Sequence, residues 1–260
     1  MVQISALIID KKQYGLDGYV YRFQAPELAQ TAKPGQFVML RWSDGVDPLL
    51  RRPFSFHRIN QKEGTIDILF RVVGKGTALL AEKKVEESCN LLGPLGNGFE
   101  IRSDITQSII LAGGMGVAPM LALADRLVAL NIKPLVFLGA KSKEELWCSE
   151  EFQSLGCDIH LATDDGSLGF KGTVLDLFQQ SAIYNPQSAT VYGCGPEPML
   201  QQLAKLAQER QFDCQISLET NMACGIGTCQ GCVTPVVGPE QYKLVCKDGP
   251  VFDSKQIKWS

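Results

Sequence analysis

Three cysteines fall within nine residues, Cys224, Cys229 and Cys232, and thirteen residues separate the last of them from Cys246. Cys-x4-Cys-x2-Cys with a distant fourth thiol is the plant-type ligand spacing of a [2Fe–2S] cluster. Two sulfide-bridged irons take four thiolates converging from different directions. A tight loop can supply three, and a strand returning beside it the fourth. Gly225, Gly227 and Gly231 punctuate the loop and permit the close, often left-handed path around a bulky anionic cluster. A structural zinc site would show two short Cys-x2–4-Cys pairs, and here the second pair is reduced to a lone Cys246. Such a cluster moves one electron at a time, so the remaining chain should show where electrons enter and leave.

Two further groups of residues have the chemistry to hold phosphates. Arg51-Arg52-Pro53-Phe54-Ser55-Phe56-His57 offers guanidinium on a strand, and Leu69-Phe70-Arg71 precedes Gly74-Lys75-Gly76-Thr77, a turn that opens a short helix at Ala78–Glu82. A guanidinium and free backbone N–H groups together suit a pyrophosphate. Gly113-Gly114-Met115-Gly116-Val117-Ala118-Pro119 is a second glycine-rich turn before a helical pattern. It is not a full Gly-x-Gly-x-x-Gly fingerprint, but its glycines let a helix start approach a pyrophosphate. His57 reads as a strand histidine, with a proton relay as the alternative.

The elements that position these groups fall into three segments. Val2–Ile9, Gly18–Phe23, Gln36–Arg41, Pro53–Ile59, Thr65–Val73 and Ser88–Leu92 read as short strands bounded by turn residues, which predicts an antiparallel β-barrel over 1–100. From Ser108 strand and helix alternate: strands at Ser108–Ala112, Lys133–Gly139, Asp158–Thr163, Ala189–Gly193 and Asp213–Leu218, with helices at Met120–Leu130, Lys143–Leu155, Thr173–Gln180 and Glu197–Arg210. That alternation predicts a doubly wound parallel-sheet nucleotide domain over 101–213, with its ligand at the C-terminal strand ends. Residues 214–260 are too few to form a core unaided, and a metal cluster supplies what they lack.

Arg52-Pro53-Phe54-Ser55 resembles the Arg-x-Tyr/Phe-Ser signature of the ferredoxin–NADP reductase superfamily. The resemblance implies that Arg52 holds the pyrophosphate of FAD, that Phe54 packs on the flavin, and that Ser55 lies near flavin N5. It extends FAD binding to Pro53, to Leu69, Phe70 and Arg71 beside the flavin and ribityl chain, and to Gly76 and Thr77. Gly113, Gly114, Gly116 and Pro119 match the superfamily's Gly-Gly-x-Gly-x-x-Pro turn for NAD. Cys194-Gly195-Pro196 matches its Cys-Gly-Pro turn beside the nicotinamide, which places Cys194 at the hydride-transfer junction and makes Ser55 and Cys194 the implied catalytic pair. Gly93-Pro94-Leu95-Gly96-Asn97-Gly98-Phe99 would bridge the first two domains. Asp164 and Asp165 read equally as ribose contacts or as a plain turn. No arginine follows the second parallel strand, which favours NADH over NADPH, while Lys141 and Lys143 leave the choice open.

With Glu219-Thr220-Asn221-Met222-Ala223 leading into the cysteine loop, the whole chain resembles the electron transfer subunits of dihydroorotate dehydrogenase B. This implies Cys224, Cys229, Cys232 and Cys246 as cluster ligands. It further implies electron exchange between NAD⁺, FAD, the cluster and the FMN of a separate catalytic subunit, two of each chain forming a heterotetramer in pyrimidine biosynthesis. Met222, Ala223 and Ile226 would face that partner. The reductase subunits of sulfide dehydrogenase or ferredoxin reductase type share these motifs and form the alternative. A redox-sensing binding module and a zinc-stabilised interaction protein are the readings from other classes.

The bulk properties agree. A net charge of −3 gives no reason to expect nucleic acid. Met1–Ile9 is apolar without a basic n-region and is followed by Asp10, so it reads as a strand and not a signal peptide. No apolar run reaches the ~18 residues of a membrane span. Nine cysteines without an export signal point to a cytoplasmic protein holding metal, not disulfides. Cys89, Cys148, Cys157 and Cys214 lack ligand spacing and read as small buried residues.

Overall fold

The computed structural model describes residues 1–42, 45–103, 105, 107–181 and 189–259. Alternating apolar residues in the first third build an antiparallel sheet from β1 (Val2–Tyr14), β2 (Gly18–Gln24), β3 (Phe37–Arg41), β4 (Arg52–Ser55), β5 (Arg58–Asn60), β6 (Thr65–Arg71) and β7 (Ser88–Leu95). Its seven strands run in the order β4-β3-β7-β1-β2-β6-β5. The sheet curls into a half-barrel around Ile8, Tyr21, Phe23, Leu40, Phe56, Ile66 and Ile68, all 0% exposed. Helix α1 (Pro26–Thr31) caps it with buried Leu28 and Ala29, and α2 (Lys75–Ala81) follows β6.

The single strand expected over Pro53–Ile59 is two. The chain pairs with β3 through Ser55, turns at Phe56-His57, then pairs with β6 from Arg58. This corner takes the chain from one edge strand of the sheet, β4, to the other, β5. The short helix after β6 begins at Lys75, three residues before the expected start.

The second sheet is built from β8 (Gln107–Gly113), β9 (Leu135–Ala140), β10 (Asp158–Thr163), β11 (Phe170–Lys171), β12 (Ala189–Cys194) and β13 (Asp213–Ser217). These six strands are parallel, in the order β11-β10-β9-β8-β12-β13. Helices α3 (Met120–Ala129), α4 (Ser149–Ser154), α5 (Val174–Gln180) and α6 (Glu197–Arg210) connect them. Helix α3 buries Met120, Leu121, Leu123, Ala124 and Leu127, the spacing of an apolar stripe laid on a sheet. After β8 the chain moves outward to β9, and after β12 it moves the other way to β13. The switch point lies between β8 and β12, where open α/β sheets bind ligands at their C-terminal ends.

The helix expected over Lys143–Leu155 is broken. A 3-10 turn covers Lys143–Glu145, Cys148 has φ +67, and α4 starts only at Ser149. The cause is tertiary. The Trp147 ring is drawn onto the barrel, 6.0 Å from the Tyr14 ring and 4.6 Å from the Arg71 guanidinium.

The tail adds β14 (Val233–Pro235) paired with β15 (Tyr242–Leu244), and β16 (Val251–Asp253), which joins β13 antiparallel at the edge of the second sheet. Its Val236, Val245, Cys246, Phe252 and Ile257 enter one buried cluster with Phe37 and Met39 of the barrel and Ile216 and Leu218 at the second sheet. A buried valine or phenylalanine contributes about 1.5–3 kcal/mol, so this docking supplies the core that the tail lacks by itself. Cys89, Cys148, Cys157 and Cys214 are all buried.

Candidate functional site

The two glycine-rich strand ends face each other across the switch point. Gly113 ends β8 and Cys194 ends β12, paired to Ala112. The turns touch so closely that a Cβ at Gly116 would lie 2.1 Å from the Cys194 carbonyl oxygen, so glycine is required there by contact. In front of them opens a cavity of about 850 Å³. Gly113, Gly114, Met115 and Gly116 form one side, Gly139, Ala140, Lys141 and Asp164 continue along the strand ends, and Gly195, Pro196 and Glu197 form the α6 side. The tail closes it with Val233, Thr234, Pro235, Lys258 and Trp259. Backbone amides at glycine turns with a flanking apolar wall suit a dinucleotide.

A second cavity, of about 430 Å³, lies between the barrel and the parallel sheet. It brings together Arg52, Pro53, Phe54, Ser55, Leu69, Phe70, Arg71, Gly76 and Thr77. Phe54 meets Phe70 edge-on at 5.8 Å, giving an aromatic wall. The Thr77 hydroxyl accepts from the Val73 and Gly74 amides at 2.9 and 3.2 Å and so fixes the turn that opens α2. One end is apolar and aromatic; the other offers guanidinium and backbone donors. A flavin with its pyrophosphate has the same division.

Arg71, Met115, Leu218, Glu219 and Thr220 line both cavities, which therefore meet. Arg71 is held at this junction by Glu145 at 3.0 Å and Asp17 at 3.4 Å, with its guanidinium over Trp147. Glu219 has accessible surface, but that surface faces the cavities. Desolvation in this enclosed position raises its carboxyl above the ordinary value of 4.5.

The cysteine loop begins beside the second cavity. Met222 lines that cavity, and Gly225 packs on Met39 of β3 with φ +73, where a Cβ would lie 2.4 Å from Met39 Cγ. All nine cysteines are free. Backbone N–H groups of the loop point at its sulfurs: Ile226 and Cys229 donate to Cys224 Sγ at 3.5 and 3.4 Å, Gly231 to Cys229 Sγ at 3.4 Å. Gly227 donates to Cys246 Sγ at 3.1 Å and Cys246 N–H to Cys232 Sγ at 3.4 Å. Desolvation acts to raise the Cys224 thiol, but the backbone donors together outweigh it and bring the group down to about 6. Among the described residues no three Cys, His, Asp or Glu side chains converge tightly enough for a single metal ion. Amides aimed at thiolates on a loop with a returning fourth cysteine fit a wider, anionic [2Fe–2S] cluster.

Every residue expected at FAD lines the smaller cavity, and Gly113, Gly114, Gly116, Gly195 and Pro196 line the larger. Pro119 sits behind its turn as the N-cap of α3. Cys194 is 1% exposed and lines neither cavity; full burial holds its thiol well above its ordinary value. Of the three residues expected to face a partner, Ala223 and Ile226 are exposed, whereas Met222 turns inward to the cavity wall. Met115, Ala118, Ser217, Leu218 and Glu219 were not expected in the flavin cavity, nor Trp259 in the nucleotide cavity. Met115 and Ala118 lie inside the Gly113–Pro119 turn and Glu219 opens the stretch leading to the cysteine loop, but nothing local aims them at the flavin; the tertiary fold brings them there, as it does Ser217, Leu218 and Trp259.

A half-barrel, a parallel nucleotide sheet and a cysteine loop arranged around two meeting cavities define an NAD-linked flavin and iron–sulfur oxidoreductase of the ferredoxin reductase fold. Comparison with known proteins agrees. Residues 5–99 match an oxidoreductase FAD-binding domain, 110–205 an oxidoreductase NAD-binding domain, and 219–258 the iron–sulfur cluster binding domain of dihydroorotate dehydrogenase B. The electron transfer subunit of dihydroorotate dehydrogenase B (NAD⁺) from Desulforamulus reducens is 39% identical over 243 residues, 93% of this chain and 92% of its own. That from Geobacillus kaustophilus is 42% identical over 228 residues, 86% of each chain. A solved chain of an NADH-dependent reduced ferredoxin–NADP oxidoreductase superposes with a TM-score of 0.85 at 29% identity, covering 98% of this chain and 90% of its own. The chain belongs to the family of dihydroorotate dehydrogenase B electron transfer subunits.

Proposed function

We propose that this chain carries electrons between NAD⁺ and the FMN of a catalytic subunit that oxidises dihydroorotate to orotate, in the synthesis of UMP. The observation that carries this reading is the continuity of the path. The nucleotide and flavin cavities share Arg71, Met115, Leu218, Glu219 and Thr220, and the flavin cavity runs through Met222 to the cysteine loop. When bound, FAD supplies the conversion between a hydride pair and single electrons, and the cluster supplies the one-electron exit.

The protein's own residues bind, orient and insulate. Arg52, Gly76 and Thr77 would hold the pyrophosphate of FAD, Pro53 and Phe54 would pack on the flavin with Ser55 beside it, and Leu69, Phe70 and Arg71 would run along the flavin and ribityl chain. Gly113, Gly114, Gly116, Gly195 and Pro196 let the nicotinamide nucleotide lie close to the sheet ends, with Pro119 fixing the helix behind them. Cys194, buried behind the junction, backs the nicotinamide site. Cys224, Cys229, Cys232 and Cys246 hold the cluster. The domains divide at 100, but the division expected at 213 moves past Ser217, because β13 (Asp213–Ser217) pairs with β12 in the nucleotide sheet; Val251–Asp253 of the tail is lent to the same sheet.

The partner docks on the exposed Ala223 and Ile226 side, and two copies of each chain assemble in the cytoplasm. No described helix is long and apolar enough to cross a membrane. Co-purification of the native protein tests this. The attached chain should contain FMN and oxidise dihydroorotate with NAD⁺ as acceptor. An attached chain without FMN, or one that acts on sulfide, would instead favour the sulfide dehydrogenase type.

A further inference from the structure

His57 lies at the corner between β4 and β5, 2% exposed. Its backbone N–H donates to the Asp67 carbonyl at 2.8 Å, so the strand pairing leaves the ring free for other work. Ring Nδ1 lies 2.8 Å from the Ala118 carbonyl oxygen. A carbonyl can only accept, so Nδ1 carries the proton and Nε2 presents a lone pair. That lone pair faces the Cys148 thiol at 3.9 Å. Burial pushes the Cys148 thiol up to about 12, so it keeps its proton and can donate. Complete burial likewise pushes the imidazole down, against the pull of Ala118 and Asp67, and the ring is neutral.

One neutral side chain of the barrel corner thus touches two segments of the nucleotide domain. Ala118 closes the Gly114–Val117 3-10 turn through its N–H to the Met115 carbonyl at 3.0 Å. Met115 walls both cavities and Ala118 walls the flavin cavity. The neighbouring Arg58 reaches Asp125 of α3 at 3.7 Å, so the corner grips the end of the turn and the helix behind it. Hydride transfer requires reacting atoms about 3–3.5 Å apart, and a drift of ~1 Å costs up to ~10²-fold in rate.

We propose that His57 is a positioning residue whose Nδ1–H, bonded to the Ala118 carbonyl, fixes the Gly114–Ala118 turn against the flavin cavity and so sets the distance at which nicotinamide meets flavin. This rests on the assignment of the two cavities to NAD and FAD made above. It concerns a residue with no part in holding either group.

Three substitutions separate position from bulk. His57→Asn keeps a donor near the place of Nδ1, His57→Gln moves it about one bond outward, and His57→Phe fills the space without a donor. Flavin reduction by NADH, followed by stopped flow at saturating NADH, should be near wild type in His57→Asn and ~10–100-fold slower in the other two, with FAD content and cluster absorbance unchanged in all three. Hydrogen exchange of residues 113–119 in the oxidised, nucleotide-free protein should rise in His57→Gln and His57→Phe and not in His57→Asn. Wild-type reduction rates or unchanged exchange in His57→Gln and His57→Phe would overturn the proposal. Should those two fail to fold, nitrogen-15 NMR of the wild-type imidazole decides: a proton on Nδ1 is expected, and a proton on Nε2 overturns it. Failure of NADH to reduce the wild-type flavin would instead overturn the cavity assignments, and it is read before any variant is compared.

Discussion

Replacing Gly116 by alanine places one methyl group where the two cofactor turns touch. The added Cβ would lie 2.1 Å from the Cys194 carbonyl oxygen, 2.3 Å from its carbon and 2.6 Å from the Gly195 nitrogen. All three are backbone atoms, and no rotamer can swing away from the clash. Ordinary contact begins at 3.4 Å, so the Gly114–Val117 turn and the Cys194-Gly195-Pro196 turn must separate by about 1.3 Å. Forced overpacking of this kind costs about 1–3 kcal/mol of stability. It also moves the nucleotide relative to the flavin, and a shift of that size lowers the transfer rate by ~10–100-fold. The assay is stopped-flow reduction of bound FAD by NADH, with FAD content and cluster absorbance measured beside it. The control is Gly156→Ala, at φ +77 with no neighbour within 4 Å of its Cβ, which should cost about 1 kcal/mol and leave the transfer rate unchanged. A Gly116→Ala protein that matches wild type in both rate and affinity for NADH would refute the contact argument.

Arg52→Ala should loosen FAD, seen as flavin lost on gel filtration, while iron content is retained. Cys229→Ser should abolish the cluster spectrum and expose the 224–232 loop to proteolysis, since cluster binding energy folds the loop, while the buried Val245, Phe252 and Ile257 hold the rest of the tail. Trp259→Ala should weaken NADH binding and leave FAD content intact, because Trp259 walls the nucleotide cavity; unchanged affinity would remove the tail from that site. Glu219 gives a pH test. Its folded pKa is raised above 4.5 by desolvation, so the folded state binds the proton more tightly than the unfolded chain does. Its contribution to stability is fully present below the unfolded value and is lost as pH rises through the folded value. Glu219→Gln should therefore raise Tm at pH 7, with the gain vanishing below about pH 4. A gain that persists at low pH would contradict the assignment.

The parts of the site that are contiguous in the chain are readable from it. The cysteine loop, Arg52–Ser55 and the Gly113–Gly116 turn each carry their chemistry within a few residues, and few folds besides a cofactor loop need glycine or cysteine at such fixed spacing. The alternation of strand and helix makes a parallel sheet readable, with its ligand at the C-terminal strand ends, whereas the strand order and the switch point between β8 and β12 come from the structure. What the chain does not announce is made by tertiary contact. Leu146-Trp147-Cys148 sits in a stretch of helix-forming residues, yet the indole is drawn onto Tyr14 and Arg71 and the helix starts late. Glu219 reads as a connector between a strand and the cluster loop and becomes a wall of both cavities. His57 reads as a strand residue, but it stands where the chain changes partner from β3 to β6. Val251–Asp253 pairs with β13, some 35 residues away in the chain, and no local pattern encodes that choice.

The central claim is that one chain joins a nucleotide cavity, a flavin cavity and a cluster loop into a single conducting path. Anaerobic titration of the purified protein with NADH, followed by visible absorbance and electron paramagnetic resonance, tests it most directly. The flavin absorbance should bleach and a reduced [2Fe–2S] signal should grow in the same titration. A cluster that stays oxidised under excess NADH, yet is reduced by dithionite, would contradict it.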